Sequence, residues 1–140
     1  MDGDDEREGE GDTGRGSVLS VPGDDLASGG VARRFVREMA RAWGLPAEAA
    51  EVLEAVAGEL VANALEHTVS RFIVVELTRS DDGRTAGVRV TDEGRGEAAV
   101  QAEPDEECGR GLLIVEALTK RWGWLRTGKG YTVWGEVNAW

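Results

Sequence analysis

The chain is 140 residues long, with 41% hydrophobic and 31% charged side chains, a make-up that fits one compact domain around a single core. Its net charge of −11 speaks against a duplex nucleic-acid binder, which needs cations to displace phosphate counterions. A single cysteine (Cys108) excludes an internal disulfide or a cysteine-based zinc site, and a single histidine (His67) excludes a multi-histidine metal cluster. No run of ~18 apolar residues is present to cross a membrane. The acidic start, MDGDDE, lacks the basic and apolar regions of a secretory signal, so a cytoplasmic protein is expected.

Residues 1–16 carry seven acids, two arginines and five glycines, too little apolar surface to offset ordering entropy, so a solvated tail is expected before a domain at 17–140. Ser17–Val21 reads as a short strand ended by Pro22-Gly23. A helix follows from about Leu26 to Trp43, with Val31, Phe35, Met39 and Trp43 recurring every four residues as the expected core stripe. Arg33, Arg37 and Arg41 line another face, and Gly44-Leu45-Pro46 stops the helix. A second, longer helix is expected from Ala47 to His67. Strands then follow at Phe72–Thr78 and Thr85–Thr91, joined by Ser80-Asp81-Asp82-Gly83. A polar, Gly-rich segment covers 93–110, a third helix runs from Leu112 to Lys120, and Arg121–Arg126 and Tyr131–Val137 close the chain as a hairpin. Adjacent strands suit antiparallel pairing, and helices clustered in sequence suit one face of a sheet. The expected fold is therefore α+β: a two-layer α/β sandwich, its sheet mixed but mostly antiparallel, with three helices on one face.

Three stretches carry residues suited to chemistry. On the second helix, at roughly 100° per residue, Leu53, Ala57, Leu60, Val61 and Ala64 share the side that should lie on the sheet. Glu59, Asn63 and Glu66 fall within about 60° of one another on the opposite side. A carboxylate and a carboxamide at i and i+4 suit a magnesium–phosphate site, with hard oxygen for the metal and one base for a hydroxyl. A solvated helix face would show the same residues. In VRVTDEGRG, alternation puts Val88, Val90 and Asp92 on one strand face, so an acid points along an apolar surface and wants a partner. Asp92 could accept from an exocyclic amine such as that of adenine; an ordinary turn would also use Asp-x-Gly. In CGRGLLIV, a Gly-x-Gly opens a helix whose free amides form an anion site, with Arg110 as a fixed cation. A P-loop is excluded, because Lys129 in Gly-Lys-Gly lacks the spacing and the following Ser or Thr.

Order and residue types together resemble a known family. ELVANALEH resembles the N-box of the GHKL ATP-binding superfamily, which includes gyrases, heat-shock chaperones, histidine kinases and mismatch-repair ATPases. DEGRG is similar to its first glycine box and GRGLLIVEAL to its second. The short form, the helix VARRFVREMARAWGL and the ending KRWGW…GKGYTVWGEV resemble the stand-alone anti-sigma-factor serine/threonine kinases, over about 120 residues from Val18 to Val137.

The resemblance implies a Bergerat-type ATP-binding fold with ATP and Mg²⁺ as cofactors. Glu59 would be the catalytic base and Asn63 would hold Mg²⁺ against the phosphates. Asp92 would bind the adenine amine beside Gly94, and Gly96 would begin the ATP lid. Gly109, Arg110, Gly111 and Leu112 would hold phosphates. The implied activity is transfer of the γ-phosphoryl group to an anti-anti-sigma (STAS-type) protein, together with sequestration of a sigma factor, in a family that often forms homodimers. Two features depart from the pattern: no proline follows Gly96-Glu97, and the 93–108 stretch is rich in acids with Arg95 its one cation. Such acids near a triphosphate disfavour its binding, so a non-catalytic, partner-sequestering module of the same fold is the alternative.

Outside these motifs, His67 would favour the carboxyl-terminal dipole of its helix. Arg33, Arg34, Arg37 and Arg41 make a cationic patch, either a solvated face or a docking surface for an acidic partner. Trp122, Trp124 and Trp134 are expected in core or sheet-face packing, with Trp140 exposed.

Overall fold

The computed structural model describes residues 16–94, 109–127 and 130–140, and of residues 109–111 and 127 it describes the backbone. The acidic stretch 1–15, Gly96, most of the 93–108 segment with Cys108, and Lys129 lie outside the described residues. The elements are β1 (Gly16–Pro22), α1 (Ser28–Ala42), α2 (Ala47–His67), β2 (Phe72–Arg79), β3 (Thr85–Asp92), α3 (Gly109–Leu118), β4 (Arg121–Thr127) and β5 (Gly130–Asn138). The strands form one five-stranded sheet in the order β1-β2-β3-β5-β4. The α+β two-layer arrangement is as expected. No helix among the described residues is long and apolar enough to cross a membrane.

All four neighbouring strand pairs are antiparallel, where a mixed sheet was expected. The helix count explains this. With two helices between β1 and β2 the chain reverses three times, so β2 returns antiparallel to β1. Only α3 separates β3 from β4, which therefore run in the same direction, but β5 lies between them and is antiparallel to both.

The core is the layer between the helices and the inner face of the sheet. Ile73, Val75 and Leu77 of β2 and Val88 and Val90 of β3 meet Leu53, Val56, Leu60 and Val61 of α2, all of them at most 2% exposed. Alternation along β3 holds to its last residue, so Asp92 is also buried on this inner face. Helix α2, with contacts to α1, α3, β3 and β5, is the central helix.

Helix α1 departs from expectation. Its fully buried apolar side chains are Ala32, Val36 and Ala40, while Val31 is 43% exposed and Phe35, Met39 and Trp43 are only partly buried. The buried stripe lies one position later than the stripe of large residues. Small side chains let α1 approach α2 and the sheet closely, and the large ones fill the margins of that contact. The helix ends as its sequence suggests. Gly44 takes φ +77, Gly44 N–H donates to Arg41 O at 3.1 Å, and Leu45 N–H donates to Ala40 O at 3.0 Å, a Schellman closure that buries Leu45.

The arginines of α1 have definite surroundings. Arg37 pairs with Glu54 of α2 at 2.6 Å, and the stem of Arg33 lies over Gly58, where a Cβ would come within 3.1 Å of Arg33 Cδ. The tryptophans divide. Trp122 packs against the core, Trp134 lies on the open sheet face beside Gly123, and Trp124 is 44% exposed with its ring 5.4 Å from that of Tyr131. Trp140 is exposed, with the Arg79 guanidinium over its ring at 4.4 Å.

Candidate functional site

Topology brings the three sequence motifs to one end of the sheet. Strand β3 ends at Asp92, opposite Tyr131 near the start of β5. Strand β2 begins at Phe72, beyond the Val74–Thr91 pair, so the carboxyl end of α2 reaches the sheet beside the end of β3. Strand β4 runs from Arg121, opposite Glu136, to Thr127, opposite Gly130. Helix α3 feeds the start of β4, so its amino end at Gly109 lies toward the Asp92–Gly130 end.

Helix α2 spans Ala47–His67, the range expected from its periodicity, and buries Leu53, Ala57, Leu60, Val61 and Ala64. Glu59 and Asn63 are half-buried on the other side, and neither makes a hydrogen bond or ion pair among the described residues. Glu66 is exposed. One turn beyond Asn63, at i+4, His67 continues the same face. Its Nε2 is buried without a hydrogen-bond partner. Glu66 Oε1 lies 3.3 Å away but is not aligned for a hydrogen bond. The sequence read His67 as a dipole-capping residue; its i+4 spacing from Asn63 was visible there, its buried Nε2 was not.

Asp92 is 5% exposed and has no cation within ion-pair distance among the described residues. Its Oδ1 accepts the Gly94 N–H at 2.6 Å. Burial pushes the carboxyl up to about 6; the Gly94 N–H opposes that rise and the neighbouring Glu93 charge adds to it. Gly94 sits at φ +69, a conformation that favours glycine. Beneath this turn lies Gly130, where a Cβ would meet the Asp92 carbonyl oxygen at 1.8 Å. Only a glycine lets β5 start that close to Asp92. The sequence marked only a hairpin of Arg121–Arg126 and Tyr131–Val137 and gave no sign of this contact.

The exit from α2 is stitched to the same turn. Glu93 N–H donates to the buried Ser70 Oγ at 2.9 Å, and Arg71 N–H donates to Glu93 Oε1 at 2.8 Å. On the far side of Ser70, Gly23 packs against its backbone, and Gly23 N–H donates to Arg71 O at 2.9 Å.

Helix α3 begins at Gly109, three residues before the expected Leu112. Gly109, Arg110, Gly111 and Leu112 are thus its first four residues, the positions whose amides have no carbonyl partner within a helix. The Leu112 side chain is buried in the core, so only its backbone faces this end. Gly96 lies outside the described residues.

Together the described groups offer a half-buried carboxylate and carboxamide, a buried acceptor at Asp92, an unsatisfied imidazole nitrogen and a helix amino end. They suit a ligand with an amine donor at one end and anionic oxygens at the other. Among the described residues no group of three or more His, Cys, Asp or Glu could hold a metal unaided. A magnesium ion would rest on Asn63 and on oxygens that the ligand brings, the usual manner for this ion.

A similar fold occurs in the crystal structure of the RsbU and RsbW domains of Rv1364c from Mycobacterium tuberculosis, with a TM-score of 0.66 and 21% sequence identity. The match covers 88% of this chain and 32% of that one, so the chain spans about a third of its length. No curated protein matches the chain. The family model for the histidine kinase-like ATPase domain matches residues 24–134, a stretch that includes the Glu59–Asn63 face, Asp92 and the start of α3. The chain belongs to the histidine kinase-like ATPase domain family.

Proposed function

We propose that the protein is an ATP-dependent serine/threonine protein kinase acting as an anti-sigma factor. It would phosphorylate an anti-anti-sigma (STAS-type) protein, sequester a sigma factor, and work in the cytoplasm, as a homodimer in the manner of the kinases it resembles. The observation that carries this reading is the meeting of the Glu59–Asn63 face, Asp92 and the amino end of α3 at one end of the sheet. Membership of an ATPase family supports ATP as the ligand. The N-box, the glycine boxes and the RsbW-containing structural neighbour support the anti-sigma kinase branch.

The roles follow from chemistry. Asp92 accepts the adenine amine, and the Gly94 turn leaves the ring room to approach the backbone. The amides of Gly109 to Leu112 and the Arg110 cation bind phosphate oxygens, and His67 Nε2 lies on the same helix face as Asn63 and serves the same anion. Asn63 holds Mg²⁺, which when bound neutralises phosphate charge. Glu59 takes the proton from the substrate serine or threonine hydroxyl as its oxygen bonds to the γ-phosphorus. The bond to the β,γ-bridging oxygen breaks and ADP departs. In such transfers most of the rate comes from positioning and charge neutralisation.

The acid-rich 93–108 stretch favours the second reading, a partner-sequestering module without transfer. One experiment separates them: incubation with γ-labelled ATP, Mg²⁺ and a STAS-type protein. Labelling of the STAS protein that is lost in Glu59→Ala and Asn63→Ala supports the kinase. Nucleotide binding without labelling by the unsubstituted protein refutes it and leaves the module.

A further inference from the structure

Between the carboxyl end of α2 and the Asp92 turn runs a chain of hydroxyl hydrogen bonds whose direction can be worked out. Thr68 Oγ1 lies 2.8 Å from Ala64 O, and a carbonyl can only accept, so the one hydroxyl proton of Thr68 is committed there. Ser70 Oγ lies 3.1 Å from Thr68 Oγ1 and must therefore be the donor in that pair. Its own proton spent, Ser70 Oγ accepts the Glu93 N–H at 2.9 Å. The relay reads Glu93 N–H to Ser70 to Thr68 to the Ala64 carbonyl in the last turn of α2. Every donor in it is used once.

Two backbone contacts keep the relay in place. Gly23 closes on Ser70 so tightly that a Cβ there would lie 2.1 Å from the Ser70 carbonyl oxygen. On the other side, Gly94 N–H donates to Asp92 Oδ1, so a turn anchored at Glu93 also orients the Asp92 carboxylate. Ser70 itself is buried, at 7% exposed.

We infer that Ser70 is a positioning residue that holds the Asp92 turn at a fixed place relative to the Asn63 end of α2. The inference rests on the proposed nucleotide site and specifies how its two ends are kept in register. A ligand that spans both ends needs that register, whereas a ligand that uses Asp92 alone needs it far less.

The test compares the unsubstituted 140-residue chain with Ser70→Ala, Thr68→Val and the double variant. Thr68→Val keeps the side-chain shape and breaks the same relay at its next link. Mg²⁺–ATP is expected to bind about ten-fold more weakly to Ser70→Ala, the loss of roughly one buried hydrogen bond. Adenosine is expected to stay within about two-fold, and the double variant to bind ATP no more weakly than the worse single one, as for members of one network. By amide exchange, Glu93 should lose protection in Ser70→Ala while Val88 in mid-strand keeps it. Equal weakening of ATP and adenosine would make Ser70 a merely structural residue and overturn the inference. Unchanged ATP affinity, or unchanged exchange at Glu93, overturns it as well. If the unsubstituted protein binds no nucleotide, the site reading itself fails and takes the inference with it; normal binding there with normal binding in Ser70→Ala defeats the inference alone.

Discussion

Asp92→Asn is expected to make the protein more stable and its nucleotide site worse, and the two effects have one cause. The carboxyl is raised from 3.8 to about 6, chiefly by burial. A shift of about two pKa units corresponds to roughly 3 kcal/mol at most. Residual solvent contact reduces that to about 1–2 kcal/mol of native-state cost when Asp92 is ionised. The sign follows from proton counting. Between pH 3.8 and about 6 the native state holds the proton that the unfolded chain has given up, so this group's contribution to stability falls as pH rises through that window and is level above it. Asparagine removes the ionisation, and its Oδ1 still accepts the Gly94 N–H. By thermal unfolding, Asp92→Asn should therefore melt about 3–8 °C above the unsubstituted protein at pH 8. The gap should shrink to about half at pH 5, where ionisation of the native carboxyl has largely ceased. In calorimetry at pH 8 the same variant should lose ATP affinity by about ten-fold or more, because the amide presents a donor where the adenine amine needs an acceptor. The unsubstituted protein should lose affinity as the pH falls below about 6, when the carboxyl becomes protonated. An Asp92→Asn protein that melts lower at pH 8, or a gap that does not change between pH 8 and pH 5, would refute the reasoning.

Other changes test separate links. Glu59→Ala and Asn63→Ala should each reduce phosphoryl transfer by about 100-fold or more, while their thermal midpoints stay close to that of the unsubstituted protein, since neither side chain is bonded in the described structure. Gly130→Ala drives a methyl into the Asp92 carbonyl and should cost about 2–4 kcal/mol by denaturant unfolding, with ATP binding lost in whatever folds. The shifted stripe of α1 predicts about 2 kcal/mol for Val36→Ala, fully buried, against under about 0.5 kcal/mol for Val31→Ala. Equal costs for these two valines would restore the stripe of large residues as the core face.

Legibility followed the reach of each physical signal. Helix α2 was readable to the residue because Leu53, Leu60 and Val61 recur with Ala57 and Ala64 on one face, and Pro46 and Thr68 bound it. In α1 the pattern of large residues misled by one position. Alanine adds little to a hydrophobic pattern, yet Ala32 and Ala40 are fully buried in the contact of α1 with its neighbours. The burial of Asp92 was foreseeable from alternation alone, because a strand cannot turn one residue outward without breaking its pleat. Ser70 and Gly130 were not. Ser70 acts on Glu93 across 23 residues, and Gly130 acts by lacking a side chain opposite a carbonyl supplied by another strand. No local periodicity reports such contacts, which exist only once the sheet register is set.

That the strains gather at one end is itself an argument about function. Elsewhere the inner layer obeys ordinary rules: large aliphatic groups are buried and helix ends are closed, as at Gly44. At the Asp92 end a buried carboxylate has no cation among the described residues, and the His67 Nε2 is buried without a hydrogen-bond partner among them. A fold selected for stability alone would place an apolar or neutral side chain at both positions, since each group costs free energy as it stands. Both costs can be offset by a molecule that offers a hydrogen-bond donor to Asp92 and an acceptor to His67, as an adenine amine and a phosphate oxygen would. Rigid placement of unsatisfied groups is what a binding site requires and what a core avoids.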